Sequence, residues 1–181
     1  MGTIAVHEFI SLDGMYDDPS FTFAYGFDSK MGETLGEITG AATAILLGRN
    51  TFEMFAPAWS TRTVDDDPGA PFFNDTMKYV VGAQEPAVEW ANSTRIGAYD
   101  PEAIRKLKAD TDGTIYISGS GQLVRALLRD GLVDNLHLFV YPVALGKGER
   151  FWNDDTTKLA LVSSDVYDNG VVHLNYGPVA A

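Results

Sequence analysis

The sequence predicts an α/β fold: a central mixed sheet, mostly parallel, with helices on both faces and an antiparallel C-terminal hairpin at one edge. Three observations carry that expectation. Short, wholly apolar runs alternate with amphipathic stretches through most of the chain, the order that builds a parallel sheet with crossover helices. The last part of the chain carries strand patterns only. Within it, Asp168-Asn169-Gly170 joins two alternating segments, and an Asn-Gly step is a strong hairpin signal.

The elements follow in order. Thr3 to Ile10 is rich in β-formers and ends at the turn signal Ser11-Leu12-Asp13-Gly14. A loop through Asp17, Asp18, Pro19 and Ser20 follows. From about Asp28, Met31, Leu35 and Ile38 share one helical face, and that helix is expected to end near Gly40. Ala44-Ile45-Leu46-Leu47, closed by Gly48, reads as a buried strand that feeds an aromatic-rich helix with Phe52, Met54, Phe55 and Trp59. Ser60 to Asp75, with Asp65-Asp66-Asp67-Pro68-Gly69, reads as a long surface excursion. Lys78 to Gly82 is another buried strand. Asp100 is the expected cap of a helix that starts at Pro101 and carries Ile104 and Leu107. Thr114 to Ile117 is a strand, Ser118-Gly119-Ser120-Gly121 a glycine-rich turn, and Leu123, Leu127 and Leu128 mark a helix. Leu136 to Tyr141 is a long strand, and Leu159 to Tyr167 with Val171 to Tyr176 forms the hairpin.

Composition sets the outer limits. A chain of 181 residues with 45% apolar content can close around one core, so residues 1–181 are expected to form a single domain. No apolar run approaches the roughly 20 residues needed to cross a bilayer, so a membrane partner is not expected. The formal charge of −12 and the scattered basic residues argue against a nucleic-acid partner. The absence of cysteine removes disulfides and thiolate chemistry, and a cytoplasmic location is the natural expectation. A phosphorylated ligand, if bound, has to be held locally by a few basic groups and backbone amides.

Two turns are suited to that task. Ser118-Gly119-Ser120-Gly121 sits between a buried strand and an amphipathic helix, where backbone N–H groups at the positive end of a helix dipole can receive a pyrophosphate. It lacks the third glycine of the dinucleotide fingerprint, since residue 124 is Val, and a plain tight turn fits the residues about equally well. Gly48-Arg49-Asn50-Thr51 occupies the same kind of position: Arg49 can fork onto a phosphate and Thr51 can donate its hydroxyl. Taken alone, a surface Arg beside a helix cap is the simpler reading. Together, at the carboxyl ends of strands in one open sheet, the two turns point to a ligand crevice. His7, His137 and His173 fall within strands and lack metal-site spacing, and the acidic pairs at Asp17, Asp65 and Asp154 lack a calcium-loop pattern, so no metal is expected. Serine hydrolase chemistry is not expected, because Gln122 stands where a nucleophile elbow needs Gly.

The ordered set of these pieces resembles the dihydrofolate-reductase-like superfamily, in particular the branch similar to the C-terminal reductase domain of the bifunctional riboflavin-biosynthesis deaminase-reductase. The matching pieces are Ser11-Leu12-Asp13-Gly14, Leu47 to Glu53, Ile117 to Leu123, Leu132-Val133-Asp134 and Tyr141 to Gly148. The resemblance implies a three-layer α/β/α fold, NADPH as cofactor and hydride transfer to a small heteroaromatic, ribosylamino-pyrimidine or pterin-like substrate. It implies that Gly48, Arg49 and Thr51 contact cofactor phosphates, with Arg49 at the 2′-phosphate. Ser118, Gly119, Ser120, Gly121 and Gln122 would surround the pyrophosphate, and Val81 with Gly82 would border the adenine. Ser11, Asp13 and Gly14 would lie by the nicotinamide and substrate, with Asp13 or Asp28 orienting substrate nitrogens or relaying a proton. The carboxylate that dihydrofolate reductases carry on the first helix falls here near Gly32, which directs the expectation away from folate itself. A non-catalytic nucleotide- or small-molecule-binding module on the same fold is the rival. A homodimer through the C-terminal region is also expected, with Phe151 and Trp152 read as exposed aromatics near an edge strand.

Overall fold

The computed structural model describes residues 1–152 and 156–179; Asp154 lies outside them. One sheet of eight strands runs through the molecule: β1 (Thr3–Ser11), β2 (Ala42–Gly48), β3 (Met77–Val81), β4 (Ser93–Gly97), β5 (Thr114–Ser118), β6 (Asn135–Tyr141), β7 (Leu159–Val166) and β8 (Val172–Pro178). Their spatial order is β4-β3-β2-β5-β1-β6-β8-β7. Every pairing from β4 to β6 is parallel, and β6–β8 and β8–β7 are antiparallel. This is the mixed sheet with a terminal hairpin that the pattern of runs predicts.

Side-chain alternation divides the core into two layers. Ile4, Val6 and Ile10 of β1 point to the face covered by α4 (Pro101–Asp110) and α5 (Gly121–Arg129), whose Ile104, Leu123, Val124 and Leu127 are buried there. The other face carries Ile45, Leu47, Tyr116, Phe139 and Tyr141 and is covered by α1 (Ser29–Gly40), α2 (Arg49–Trp59) and α3 (Ala70–Asp75). Adjacent strands β2 and β5 therefore send their following helices to opposite faces. A crevice at their carboxyl ends is the geometric result.

The structure departs from the expectations in four places. The excursion before β3 contains the short helix α3, which buries Phe73 against Trp59, their ring centroids 4.3 Å apart. Its C-terminal carbonyls are satisfied by Lys78, buried in β3, whose ammonium donates to Phe73 O at 2.8 Å and Thr76 O at 2.8 Å. Ser93–Gly97 adds an edge strand, β4, beside β3, and Pro19–Tyr25 forms a short 3₁₀ segment where a loop is expected. Near the C-terminus, β6 is interior between β1 and β8, so β7 is the edge, and Phe151 is fully buried while Trp152 is 38% exposed.

Candidate functional site

A cleft of about 590 Å³ opens at the carboxyl ends of β1, β2, β3 and β5, within the range of small-molecule sites. Both strand-to-helix turns line it: Gly48, Arg49 and Thr51 on one side, and Ser118, Gly119, Ser120, Gly121 and Gln122 on the other, with Val81 beside them. Gly82 lies just behind the wall, where a β-carbon would come within 2.9 Å of the Arg49 stem. The sequence-expected cofactor residues thus converge on one place.

Ser120 locks the two turns together. Its hydroxyl accepts from Gly48 N at 2.8 Å and donates to the Thr51 hydroxyl at 2.7 Å. To reach both, Gly119 and Ser120 adopt successive left-handed conformations, with φ of 69° and 64°. For Ser this conformation is uncommon and strained. Space is tight at two further glycines: a β-carbon on Gly48 would meet Ser120 Oγ at 3.0 Å, and one on Gly121 would enter the Tyr16 ring unless that side chain moved. Tyr16 packs over Gly121 and donates to Glu149, which also accepts from Arg125 at 2.9 Å.

The helix starts around the molecule differ in a telling way. At α1 and α4, the first amides are capped by side chains, Asp28 to Lys30 N and Met31 N, and Asp100 to Glu102 N. The helices that open on the cleft, α2 and α5, have no side-chain cap, and neither does the short α3, which lies away from it. The orphan N–H groups and positive dipole ends of α2 and α5 face the cleft, an arrangement suited to an anion such as a pyrophosphate. Arg49 adds a guanidinium, half-buried and held 3.5 Å from Glu53. The residues present therefore fit a dinucleotide's phosphates.

The turn after β1 is placed elsewhere. Ser11 is buried, donates to Asp13 at 2.6 Å and accepts from Met15 N at 2.9 Å. The Asp13 carboxylate also receives Leu145 N at 3.0 Å and Gly146 N at 2.7 Å. These donors, Ser11 foremost, hold its pKa down at about 2. Gly14, with φ of 80°, turns the chain so that its carbonyl receives Phe151 N at 2.8 Å. Ser11, Asp13 and Gly14 form a buckle between this turn and residues 145–151, and beyond the buried Met15 it is Tyr16 and Asp17 that stand on the cleft wall. Asp28 caps α1 and also accepts from Asp168 N at 3.1 Å, tying the helix to the hairpin. Its pKa is lowered, chiefly by the Met31 amide.

Glu8 is the cleft residue that motif reading overlooks. It is 4% exposed and lines the cleft between Phe9 and Gly119. Its signal is in the alternation: Ile4, Val6 and Ile10 face the core, and Glu8 occupies the same register. A charged residue type at a core-facing strand position points to function. Burial pushes its pKa up to about 8, against the opposing pull of the Gly119 amide and the Arg125 charge.

The histidines sit on the other face. His7 Nδ1 pairs with the Tyr116 hydroxyl at 2.8 Å, and His137 and His173 stack and pair at 3.0 Å. A second hollow of about 480 Å³ between α1 and the hairpin contains His137, His173 and Asp165, with His173 pairing to each of the other two. Among the described residues no group of His, Asp and Glu is arranged to hold a metal ion, and no helix is long and apolar enough to cross a membrane.

Comparison with known proteins agrees with this geometry. The RibD C-terminal domain family matches residues 3–173. The Bacillus subtilis protein YyaP, itself uncharacterized, is 25% identical over 154 residues, covering 82% of this chain and 80% of its own. A protein from Shewanella sp. PV-4 ascribed to riboflavin biosynthesis superposes with a TM-score of 0.78 at 16% identity, over 97% of this chain and 98% of its own. The Thermotoga maritima diaminohydroxyphosphoribosylaminopyrimidine deaminase/5-amino-6-(5-phosphoribosylamino)uracil reductase superposes at 0.70 with 16% identity, over 98% of this chain and 56% of that one.

Proposed function

We propose that this chain, which belongs to the RibD C-terminal domain family, is a reductase that uses NADPH to reduce a small nitrogen heterocycle of the ribosylamino-pyrimidine or pterin kind. The observation that carries the reading is the pair of uncapped helix N-termini, α2 and α5, interlocked by Ser120 at the mouth of adjacent parallel strands. Ser120 and Gly121, flanked by Ser118 and Gln122, hold the pyrophosphate through backbone amides, and Gly119 lets it approach the turn closely. Arg49 meets the 2′-phosphate, Thr51 and Gly48 complete the phosphate cradle, and Val81 with Gly82 borders the adenine. When bound, the dihydronicotinamide supplies a hydride, and the protein's part is to position the two rings and exclude competing reactions. The substrate class draws support from the Thermotoga relative, whose name states a phosphoribosylamino-uracil as its substrate.

A homodimer belongs to the same proposal, with the edge strand β7 and its exposed Leu161, Val162 and Val166 as the face to be covered. Light scattering over a dilution series tests it: a dimer mass is expected, and a monomer at micromolar concentration removes the dimer without touching the reductase reading.

The test of function is a screen for NADPH oxidation against dihydrofolate, oxidised pterins and 5-amino-6-(5-phosphoribosylamino)uracil. Substrate-dependent loss of NADPH absorbance is expected with the pyrimidine or a pterin. NADPH binding without turnover on any of them favours the rival, a non-catalytic module on the same fold.

A further inference from the structure

Among the described residues, Glu8 is the only carboxylate that is buried. Its Oε1 has no hydrogen-bond partner, although the side chain stands in the cleft wall. A buried polar atom left unsatisfied is destabilising, and native folds keep few of them. The strand register explains the opening: β5 pairs with β1 only as far as His7 and Ser118 and then leaves the sheet as the Gly119 turn. Glu8 is the first β1 residue beyond that pairing, with the apolar Leu138 opposite it on β6.

We propose that the Glu8 carboxyl is the proton donor of the reduction, delivering its proton to the nitrogen or oxygen of the substrate's C=N or C=O bond. The proposal rests on the reductase reading above and assigns its missing acid. The balance is complete: the carbon of that bond takes a hydride from the reduced nicotinamide nucleotide, which is oxidised, while the Glu8 O–H bond breaks and a new N–H or O–H bond forms on the heteroatom. The carboxylate then regains a proton from solvent at the open side of the cleft.

Other cleft groups are committed. Tyr16 donates a hydrogen bond to Glu149, which also accepts from Arg125. Ser120 and Thr51 bond each other. Asp17 is exposed to water. The charged and titratable groups that act on Glu8 are Arg125 from α5 and Tyr116 from β5, whose own ionisation Glu8 disfavours. Arg125, paired with Glu149, pulls the Glu8 pKa down less than burial pushes it up, to about 8. A general acid works best when its pKa lies near the working pH, as it does here.

Infrared spectroscopy of the protein without ligand tests the charge state, and kinetics tests the role. A carboxyl C=O band is expected at neutral pH, disappearing across about pH 8 and absent from Glu8→Gln. With the fastest compound from the screen, Glu8→Gln is expected to lose about 10²–10⁴-fold in kcat, to lose the alkaline limb of the wild-type profile and to keep its calorimetric NADPH affinity. Glu8→Asp, which retains a carboxyl, should keep both the limb and part of the rate. If Glu8→Gln does not fold, the wild-type band and the Glu8→Asp profile decide. A Glu8→Gln enzyme with wild-type kcat and its alkaline limb intact overturns the proposal and leaves the reductase reading standing, as does a missing carboxyl band. Failure of the wild type to bind NADPH, or to turn over any screened compound, overturns both.

Discussion

Glu8 and Asp13 stand on the same short stretch of β1 and its following turn, yet their surroundings drive them to opposite charge states. Asp13 lies at the surface and is ringed by the Ser11 hydroxyl and two backbone amides, so it stays ionised down to about pH 2. Glu8 is buried with one oxygen unpartnered, and burial pushes its pKa up to about 8. Hydrogen-bond donors stabilise the anion, while burial without enough of them penalises it. A turn anchor and a cleft acid can therefore share a residue class and a strand. What separates them is the number of donors each can reach.

The largest test of that contrast is the pH dependence of stability. Glu8 has its folded pKa above the unfolded value of 4.5, so its contribution is fully present below about pH 4.5 and declines until about pH 8. The slope from this one group approaches about 1.4 kcal/mol per pH unit. Denaturant titrations of wild type and Glu8→Gln should diverge over this window, with the wild type losing ground as pH rises. Parallel curves would show that Glu8 is ionised in the folded protein.

A smaller effect is expected at Arg49. If its guanidinium meets a 2′-phosphate, Arg49→Ala should weaken NADPH binding by about 1.5–3 kcal/mol, the range of a charge-assisted hydrogen bond, and barely alter NADH binding. Equal losses for both cofactors in calorimetry would remove that role from Arg49.

Ser120 comes next. Ser120→Ala loses both hydrogen bonds and keeps the left-handed strain, for an expected loss of about 1–2 kcal/mol in thermal or urea unfolding. Ser120→Gly loses the same bonds but relieves the strain, and should be the more stable of the two by about 1 kcal/mol. The reverse order would show that the strain at this position is negligible.

The smallest change at neutral pH belongs to the acid side of the comparison. Asp13 has its pKa lowered, so its contribution is present above the unfolded value of 3.8 and is lost as pH falls toward about 2. Acid unfolding of Asp13→Asn should begin from a lower starting stability and show less dependence on pH in that range. An unchanged acid transition would mean that the Ser11, Leu145 and Gly146 contacts do not form in solution.

Much of the fold is legible in the sequence. The order of strands and helices, the Asp100 cap and the Asn169-Gly170 hairpin follow from periodicity and local turn chemistry, and the structure bears them out. The elements that stayed hidden lack such signals. β4 is short, half-exposed and without alternation, and α3 spans only Ala70–Asp75 behind an Asp-rich run, made stable by Trp59 and Lys78 from elsewhere in the chain. At the cleft, the two turns could be read as phosphate-competent because their glycines are local features. The Ser120 clamp joins positions 72 residues apart, which no local pattern reports. Phe151 read as exposed beside Trp152, whereas it is buried against the α4 and α5 layer and meets Tyr16 edge-on at 5.8 Å.

Binding of a reduced nicotinamide dinucleotide by the two interlocked turns is tested by calorimetric titration of NADPH into the wild type and Gly119→Val. At Gly119, with φ of 69°, a branched side chain is strained and its β-carbon would stand 3.2 Å from the Thr51 methyl, at the floor of the cradle. Saturable binding to the wild type is expected, abolished in Gly119→Val while the circular-dichroism spectrum is preserved. Heats no larger than dilution with the wild type, or equal affinity in the folded variant, would contradict the account.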